Sequence, residues 1–383
     1  PAERDEMRED FDDCDLIISS YSTISRDVGE LNQEKRIFSF AILDEAQHIK
    51  NHRTKRAKAV KNIQAETRLA LTGTPLENSV EELWSIFDFL MPGYLGNYSY
   101  FKKNFLTPIN KNNEQAKMTE LKERVAPFIL RRRKGEVLKE LPEKIVNVHP
   151  VSMTQLQEDS YQAVLEDVRG ELKQTVEEKG FNRSRINVLA ALTKLRQICN
   201  HPALVLGEEG KAHNSGKLDA LRELLSDALS GGHKIIVFSQ FVKMLKLIRD
   251  DLEQQGINHL YLDGSTRKRM EKVREFNSNP EVKVFLISLK AGGVGLNLTA
   301  ADMVVHVDPW WNPMVERQAT DRAHRLGQEN RVMVYKLITR GTVEEKMLKL
   351  QERKQNLFNN IIEDNVNPIK AISWEDIQEL LAF

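Results

Sequence analysis

The sequence predicts an α/β protein with parallel sheets, built as two lobes joined by helical segments. Three observations carry this reading. Between residues 217 and 342, short β-branched runs alternate with amphipathic helical stretches. A shorter set of the same signals occupies the first 90 residues, and the stretch between the two sets has mainly helical periodicity and high charge. In such an alternation each crossover helix packs back onto the sheet, so both faces are covered and functional loops lie at the carboxyl ends of the strands.

Residues 15–19 (DLIIS), 38–43 (FSFAIL) and 68–71 (RLAL) are the strand candidates of the first lobe. Three strands are few for an independent sheet, so this lobe is expected to be incomplete and to miss its start. From about residue 81 to 201 the pattern is helical and includes the basic run Arg131-Arg132-Arg133-Lys134, as expected of helical insertions. The second lobe offers strands at 234–238 (KIIVF), 259–262, 283–288 (KVFLIS), 303–307 (MVVHV) and 332–338. Helices are expected at 218–229, 242–255, 267–277 and 315–325, each with apolar residues at three- and four-residue spacing. The tail from 343 is again helical and rich in Lys, Glu and Gln, which suits a brace. The expected division is a partial first lobe at 1–90, helical insertions and linker at 91–215, a second lobe at 216–345 and a C-terminal helical brace at 346–383.

Composition excludes several classes. The 383 residues are 40% hydrophobic and 29% charged, enough for a substantial core. Lys and Arg total 56 and so do Asp and Glu, so net charge favours no partner. Two cysteines, Cys14 and Cys199, are too few for a disulfide framework and too far apart for a CxxC zinc pair. No run approaches about 18 apolar residues, and the first residues are acidic and polar where a signal peptide is basic then apolar. The expectation is a soluble intracellular monomer, cytoplasmic and without a membrane partner.

Asp44-Glu45-Ala46-Gln47-His48 comes directly after the apolar run FSFAIL, so two carboxylates emerge at the carboxyl end of a strand. A nucleotide-hydrolysing site uses such a pair to hold Mg²⁺ through one acid and orient the attacking water through the other. A helix-capping acid pair would read the same way in isolation. Thr72-Gly73-Thr74-Pro75 comes after the next strand, where small hydroxyls can bond the acid cluster; a strand-ending turn also explains it. Gln318, Arg322 and Arg325 stand at i, i+4 and i+7 of an expected helix and would share one face, with Asp321 and His324 beside them. They are either solvated charge or groups aimed at a γ-phosphate, a role worth about 10³-fold in rate or more. In 288–297 (SLKAGGVGLN), Gly292, Gly293 and Gly295 let backbone approach a phosphate closely, though a plain βα turn remains open.

Together these segments resemble one family, the Snf2-type ATPases of helicase superfamily 2. Residues 15–25 (DLIISSYSTIS) are similar to motif Ib, 44–51 (DEAQHIKN) to motif II and 71–78 (LTGTPLEN) to motif III. Residues 235–241 (IIVFSQF) resemble motif IV, with 261–266 (YLDGST) after it; 287–298 (ISLKAGGVGLNL) resemble motif V and 316–328 (ERQATDRAHRLGQ) motif VI. Residues 308–313 (DPWWNP) are especially specific to Snf2 members. The resemblance spans nearly the whole chain in the family's order. It implies two RecA-like lobes with ATP and Mg²⁺ between them and double-stranded DNA across both, DNA-bound protein being the cargo. On that mapping Asp44 holds Mg²⁺, Glu45 orients water, Arg322 and Arg325 are arginine fingers assisted by Gln318, and Thr72, Gly293, Gly295 and Asp321 line the nucleotide. Ser20, Tyr21, Ser239, Gln240, Gly264, Ser265 and Lys290 lie in motifs that line the family's DNA track.

One element is missing: no GxxxxGK[ST] occurs, because Gly210-Lys211 and Gly216-Lys217 are followed by Ala212 and Leu218. The expectation is an N-terminally truncated piece of a DNA-dependent ATP hydrolase, inactive alone, whose intact parent translocates on duplex DNA. The basic run at 131–134 and the basic helix around 183–196 keep open a non-catalytic module that binds DNA or protein. An RNA helicase would share the lobes but not Trp310-Trp311.

Overall fold

The computed structural model describes residues 14–33, 36–73, 80–112, 114–132, 134–179, 181–211, 214–292, 295–359 and 374–381. The chain forms two compact units that divide between Arg131 and Arg132.

In the first unit the main elements are helix α1 (Tyr21–Gln33), strand β1 (Phe38–Leu43), a 3₁₀ turn at Ala46–Ile49, α2 (Lys55–Lys61), β2 (Ala65–Ala70), α3 (Val80–Leu90) and α4 (Gln115–Val125). β1 and β2 pair in parallel, Phe40 opposite Thr67 and Leu43 opposite Ala70. Parallel pairing requires a crossover, and α2 supplies it; Ala57 and Val60 pack with Ala41, Leu43, Ala46, Ile49 and Phe89 into a core on one face of the sheet. α3 is buried almost all round because it is covered on two sides. Phe89 faces the sheet, while Leu83, Trp84 and Phe87 enter a second cluster with Phe101, Phe105, Leu121 and Val125. Residues 15–19 form no strand. Leu16 and Ile18 are 74% and 85% exposed, and among the described residues no ladder partner pairs with them, so a β-branched run alone did not suffice.

The second unit holds a six-stranded parallel sheet in the order β3-β8-β7-β4-β6-β5. Its strands are β3 (Lys144–Val151), β4 (Ile235–Ser239), β5 (His259–Leu262), β6 (Val284–Ser288), β7 (Met303–His306) and β8 (Val332–Thr339). β4 and β6 lie buried along their full length, which is why they read as continuous apolar runs. Its longer helices are α5 (Gln155–Lys179), α6 (Phe181–Asn200), α7 (Gly216–Ser230), α8 (Val242–Gln254), α9 (Arg269–Ser278), α10 (Pro313–Thr320), α11 (Val343–Asn359) and α12 (Trp374–Leu381). One face of the sheet packs on Val273 and Phe276 of α9 and Ala319 of α10, the other on Leu221 and Leu225 of α7 and Leu245 and Ile248 of α8.

Three outcomes differ from the sequence reading. The stretch 91–215 does not behave as one segment: residues to Arg131 belong to the first unit, and those from Arg132 to the second. Within it lies an unexpected strand, β3, which joins the edge of the sheet by pairing with β8 from Lys144↔Val332 to Val151↔Thr339. Its Val146 and Val148 are half exposed and Pro150 donates no hydrogen bond, features that only an edge position tolerates and that weakened its strand signal. The helix expected at 315–325 stops at Thr320, so Gln318 is helical while Arg322 and Arg325 lie beyond its end and do not share its face.

The described part of the tail packs on the long helices. Val343, Met347 and Leu350 of α11 and Ile377 and Leu380 of α12 pack with Tyr161 and Leu165 of α5 and Leu192 and Leu195 of α6. Below them Lys217 and Glu344, both fully buried, form an ion pair of 2.7 Å.

Candidate nucleotide and nucleic-acid site

In the first unit, β1 delivers Asp44 and Glu45 at its carboxyl end. Glu45 has φ 51° and ψ 51° and is the sole non-glycine residue with positive φ among the described residues. A side chain in this region costs about 1–2 kcal/mol, and such strain persists where surrounding structure enforces it. Here the enforcement is visible. The Glu45 N–H donates to Asp44 Oδ1 (2.9 Å), the Ala46 N–H to the Leu71 carbonyl beyond β2 (2.9 Å), and the Tyr21 hydroxyl to the Asp44 carbonyl (2.7 Å). The Gln47 amide donates to Glu45 Oε2 at 2.6 Å, and the Thr72 hydroxyl donates to Gln47 Oε1 at 2.8 Å. Thr72 thus reaches the acid pair through Gln47, a relay that sequence reasoning missed. Burial, and then the charges of Asp44 and Glu45, push the Tyr21 phenol up to about 12.

Asp44 is exposed, and among the described residues its Oδ2 makes no hydrogen bond. A single carboxylate at a strand end fits Mg²⁺, which keeps most of its water and takes one or two protein carboxylates beside phosphate oxygens. Among the described residues no cluster of three His, Cys, Asp or Glu side chains forms a closed metal cage.

In the second unit the turn after α10 is stitched to the loop after β6. Leu298 N–H donates to the Arg322 carbonyl (2.9 Å), Arg325 Nη1 to the Leu296 carbonyl (3.5 Å), and Gln328 Nε2 to the carbonyls of Thr299, Ala301 and Ala323 at 2.8–3.1 Å. They add to the local backbone bonds that run on past Thr320 as far as His324. The turn also holds Lys134 Nζ at 3.1 Å from Asp321 Oδ1, and His324 Nε2 at 2.7 Å from the Pro142 carbonyl. Asp321, assigned to the nucleotide from sequence, therefore faces Lys134 and, at 3.6 Å, Lys144. Gly293 lies outside the described residues. Gly295 is exposed with φ 51°, open to a close approach, whereas Gly292 serves packing: a Cβ there would lie 2.8 Å from Phe238 Cε1.

The segment 308–313 is an anchor. Asp308 accepts from the Ser239 hydroxyl and from the Gln240 N–H (3.2 Å), Arg196 donates to the Pro309 carbonyl, and Glu316 accepts the Trp310 N–H at 2.6 Å. Gln351 of the brace donates to the carbonyls of Trp310 (2.7 Å) and Trp311 (3.0 Å), and the Arg196 guanidinium lies 5.6 Å over the Trp311 ring. Burial pushes the Asp308 carboxyl up, partly offset by Arg196 and Lys217. The assignment of Ser239 to DNA is corrected by this geometry: its side chain is 1% exposed and committed to Asp308, so it positions the loop. Gln240 is half-buried, while Lys290, Gly264 and Ser265 are exposed at strand ends. Ser265 donates its hydroxyl (2.6 Å) and N–H (2.9 Å) to Asp263, holding that carboxyl below its usual range. Ser20 is exposed, and its Oγ accepts the Thr23 N–H at 3.1 Å, capping α1.

Parallel α/β units with acids at one strand end and an arginine-bearing turn bound to a glycine-rich loop define the class of helicase-type ATPase cores. Comparison with known proteins agrees: the SNF2-related domain matches residues 3–204 and the helicase conserved C-terminal domain residues 216–327. The chain belongs to the SNF2 family. It is 38% identical over 380 residues to an uncharacterized ATP-dependent helicase of Mycoplasma pneumoniae, covering 99% of this chain and 35% of that protein. It is 38% identical to the putative ATP-dependent helicase/translocase YwqA of Bacillus subtilis (98% and 41%) and 34% to the TATA-binding protein-associated factor MOT1 of Saccharomyces cerevisiae (99% and 23%). The chain thus spans less than half the length of these curated relatives. Among solved structures, the Sulfolobus solfataricus SWI2/SNF2 ATPase core in complex with dsDNA aligns with a TM-score of 0.53 and 39% identity, covering 96% of this chain and 77% of that one. The fold is α/β with the parallel sheets of RecA-like ATPase core lobes. Among the described residues no helix is long and apolar enough to cross a membrane.

Proposed function

We propose that this chain is part of a DNA-stimulated ATPase that moves along duplex DNA and displaces or remodels bound protein. The observation that carries the reading is the acid corner: Glu45 is held in a left-handed conformation, its carboxylate set by Gln47 and Thr72. The relative solved with double-stranded DNA supports duplex as the track.

In this reading Glu45 orients the attacking water and takes its proton, and Arg322 and Arg325 stabilise the charge that develops on a γ-phosphate. Asp44 would hold Mg²⁺, which when bound neutralises charge on phosphate oxygens. Gly295 is placed to let backbone N–H groups approach phosphate, and Gln318 supports the arginines from the end of α10. Lys290, Gly264, Ser265, Gln240, Ser20 and Tyr21 are proposed along the DNA backbone. Contacts of that kind read little sequence and weaken steeply with salt. Because its 383 residues hold no phosphate-loop motif, the chain alone is expected to turn over ATP poorly.

Steady-state ATPase assays with duplex DNA test this in the full-length protein that contains the chain. Glu45→Gln is expected to lower DNA-stimulated kcat by about 10²-fold or more, and Arg325→Ala by about 10³-fold with DNA binding nearly intact. Normal turnover by Arg325→Ala would remove the arginine assignment. Stimulation by RNA but not duplex DNA would replace the track, and salt-dependent duplex binding indifferent to nucleotide would favour a non-catalytic binding module.

A further inference from the structure

The chain enters the second unit just past Arg131 and runs through a one-turn helix, Lys134–Val137, to β3. This strap makes four contacts with a single four-residue turn. Lys134 Nζ lies 3.1 Å from Asp321 Oδ1 and 3.4 Å from His324 Nδ1, and also donates to the His324 carbonyl. Pro142, at the other end of the strap, accepts from His324 Nε2 at 2.7 Å. The His324 ring is therefore clasped at both nitrogens, with Nε2 as the donor and Nδ1 as the acceptor for Lys134.

The sequence positions matter as much as the distances. Asp321 immediately precedes Arg322, and His324 immediately precedes Arg325. The regular helix ends at Thr320, and past it only a short local set of bonds continues, Arg322 N–H to the Ala319 carbonyl (3.2 Å) and the Ala323 and His324 N–H groups to the Thr320 carbonyl (3.0 and 3.1 Å). The turn is held by the loop after β6 on one side and the strap on the other. His324 is buried, and burial together with the charges of Lys134 and Lys144 keeps its pKa below the ordinary value, outweighing Asp321 and the Pro142 bond. A neutral ring keeps Nδ1 available to Lys134.

We infer that Lys134 and His324 are positioning residues for Arg322 and Arg325: the strap at the entry to the second unit is buckled onto the arginine-bearing turn and sets its conformation. The inference rests on the proposed catalytic role of those arginines. A surface pair of Lys134 and Asp321 by itself would contribute little, about 0–1 kcal/mol. Its significance lies in the convergence of the strap's two ends on one buried histidine. A change that lifts the strap then releases the arginines without touching the nucleotide.

The test uses the full-length protein, K134M, K134R and H324N, with two readouts. Hydrogen exchange reads the buckle itself. In K134M and H324N, protection of the Leu298, Ala323 and His324 amides is expected to fall about tenfold or more while β6 amides keep theirs, which also verifies folding. DNA-stimulated turnover reads the consequence: kcat falls about tenfold with the KM for ATP unchanged, as expected for lost transition-state interactions, and K134R retains most of both. Unchanged exchange in the turn overturns the inference. So does loosened exchange with unchanged kcat, provided Arg325→Ala is inactive. If Arg325→Ala itself turns over normally, the catalytic assignment fails instead, and exchange still judges the buckle.

Discussion

Replacing Lys217 by Met strands a buried carboxylate. Lys217 Nζ donates to Glu344 (2.8 Å), the Val307 carbonyl (2.7 Å) and Asn200 Oδ1 (3.2 Å), while Glu344 also accepts the Thr339 N–H at 3.1 Å. The pair ties the end of α6, the start of α7, the end of β7 and the brace helix α11 at one point. Removing one partner of a buried pair costs about 3–5 kcal/mol, since the other charge is left without compensation. For a unit of this size each kcal/mol moves Tm by about 2–4 °C, so K217M should lower the second unit's transition by about 6–20 °C. Glu344→Gln alone should cost a comparable amount. The K217M/E344Q double variant removes the stranded charge and keeps an acceptor for Thr339, so it should fall short of the sum by about 1–3 kcal/mol. Urea unfolding followed by the fluorescence of Trp310, Trp311 and Trp374, all in the second unit, measures each term. A cost below about 1 kcal/mol for K217M, or additivity in the double variant, would refute the reasoning.

Two further outcomes are expected. Glu45→Ala and Glu45→Gly both lose the carboxylate, but only alanine keeps a Cβ at φ 51°; amide exchange in β1 should find the glycine variant more stable by about 1 kcal/mol, and the reverse order would deny that the corner is strained. His306 is buried against Phe238, bonded to Thr320 Oγ1 at 2.9 Å, with burial lowering its pKa to about 4. The folded state then stays unprotonated where the unfolded chain takes up a proton, so stability falls as pH drops from about 6.5 towards 4. Between pH 7 and 5 this is roughly 2 kcal/mol, and the urea midpoint of a His306→Asn variant should be flatter over that range by that amount.

The second unit's β4 to β8 were legible within a residue or two at most ends because burial on both faces writes continuous β-branched runs into the sequence. Asp44 and Glu45 were legible for a related reason: a strand's end is a local feature, and the residues just past it are read from the same few positions. β3 was not, since an edge strand with Val146 and Val148 half exposed carries a diluted pattern. Residues 15–19 mislead in the opposite direction, having strand composition without a partner among the described residues.

The helical spacing of Gln318, Arg322 and Arg325 is real in the sequence, yet the backbone leaves the helix because Leu298 takes the Arg322 carbonyl and the strap takes His324. Ser239 likewise looks like a polar strand-end residue but is spent on Asp308, 69 positions away. The sequence by itself determined the alternation of elements and the chemical groups at their ends, because periodicity and strand termini are set by neighbours within a few residues. The tertiary structure alone decided which of those groups remain available: a donor or acceptor bonds whatever the folded chain brings within about 3 Å, and that partner can lie almost anywhere along it.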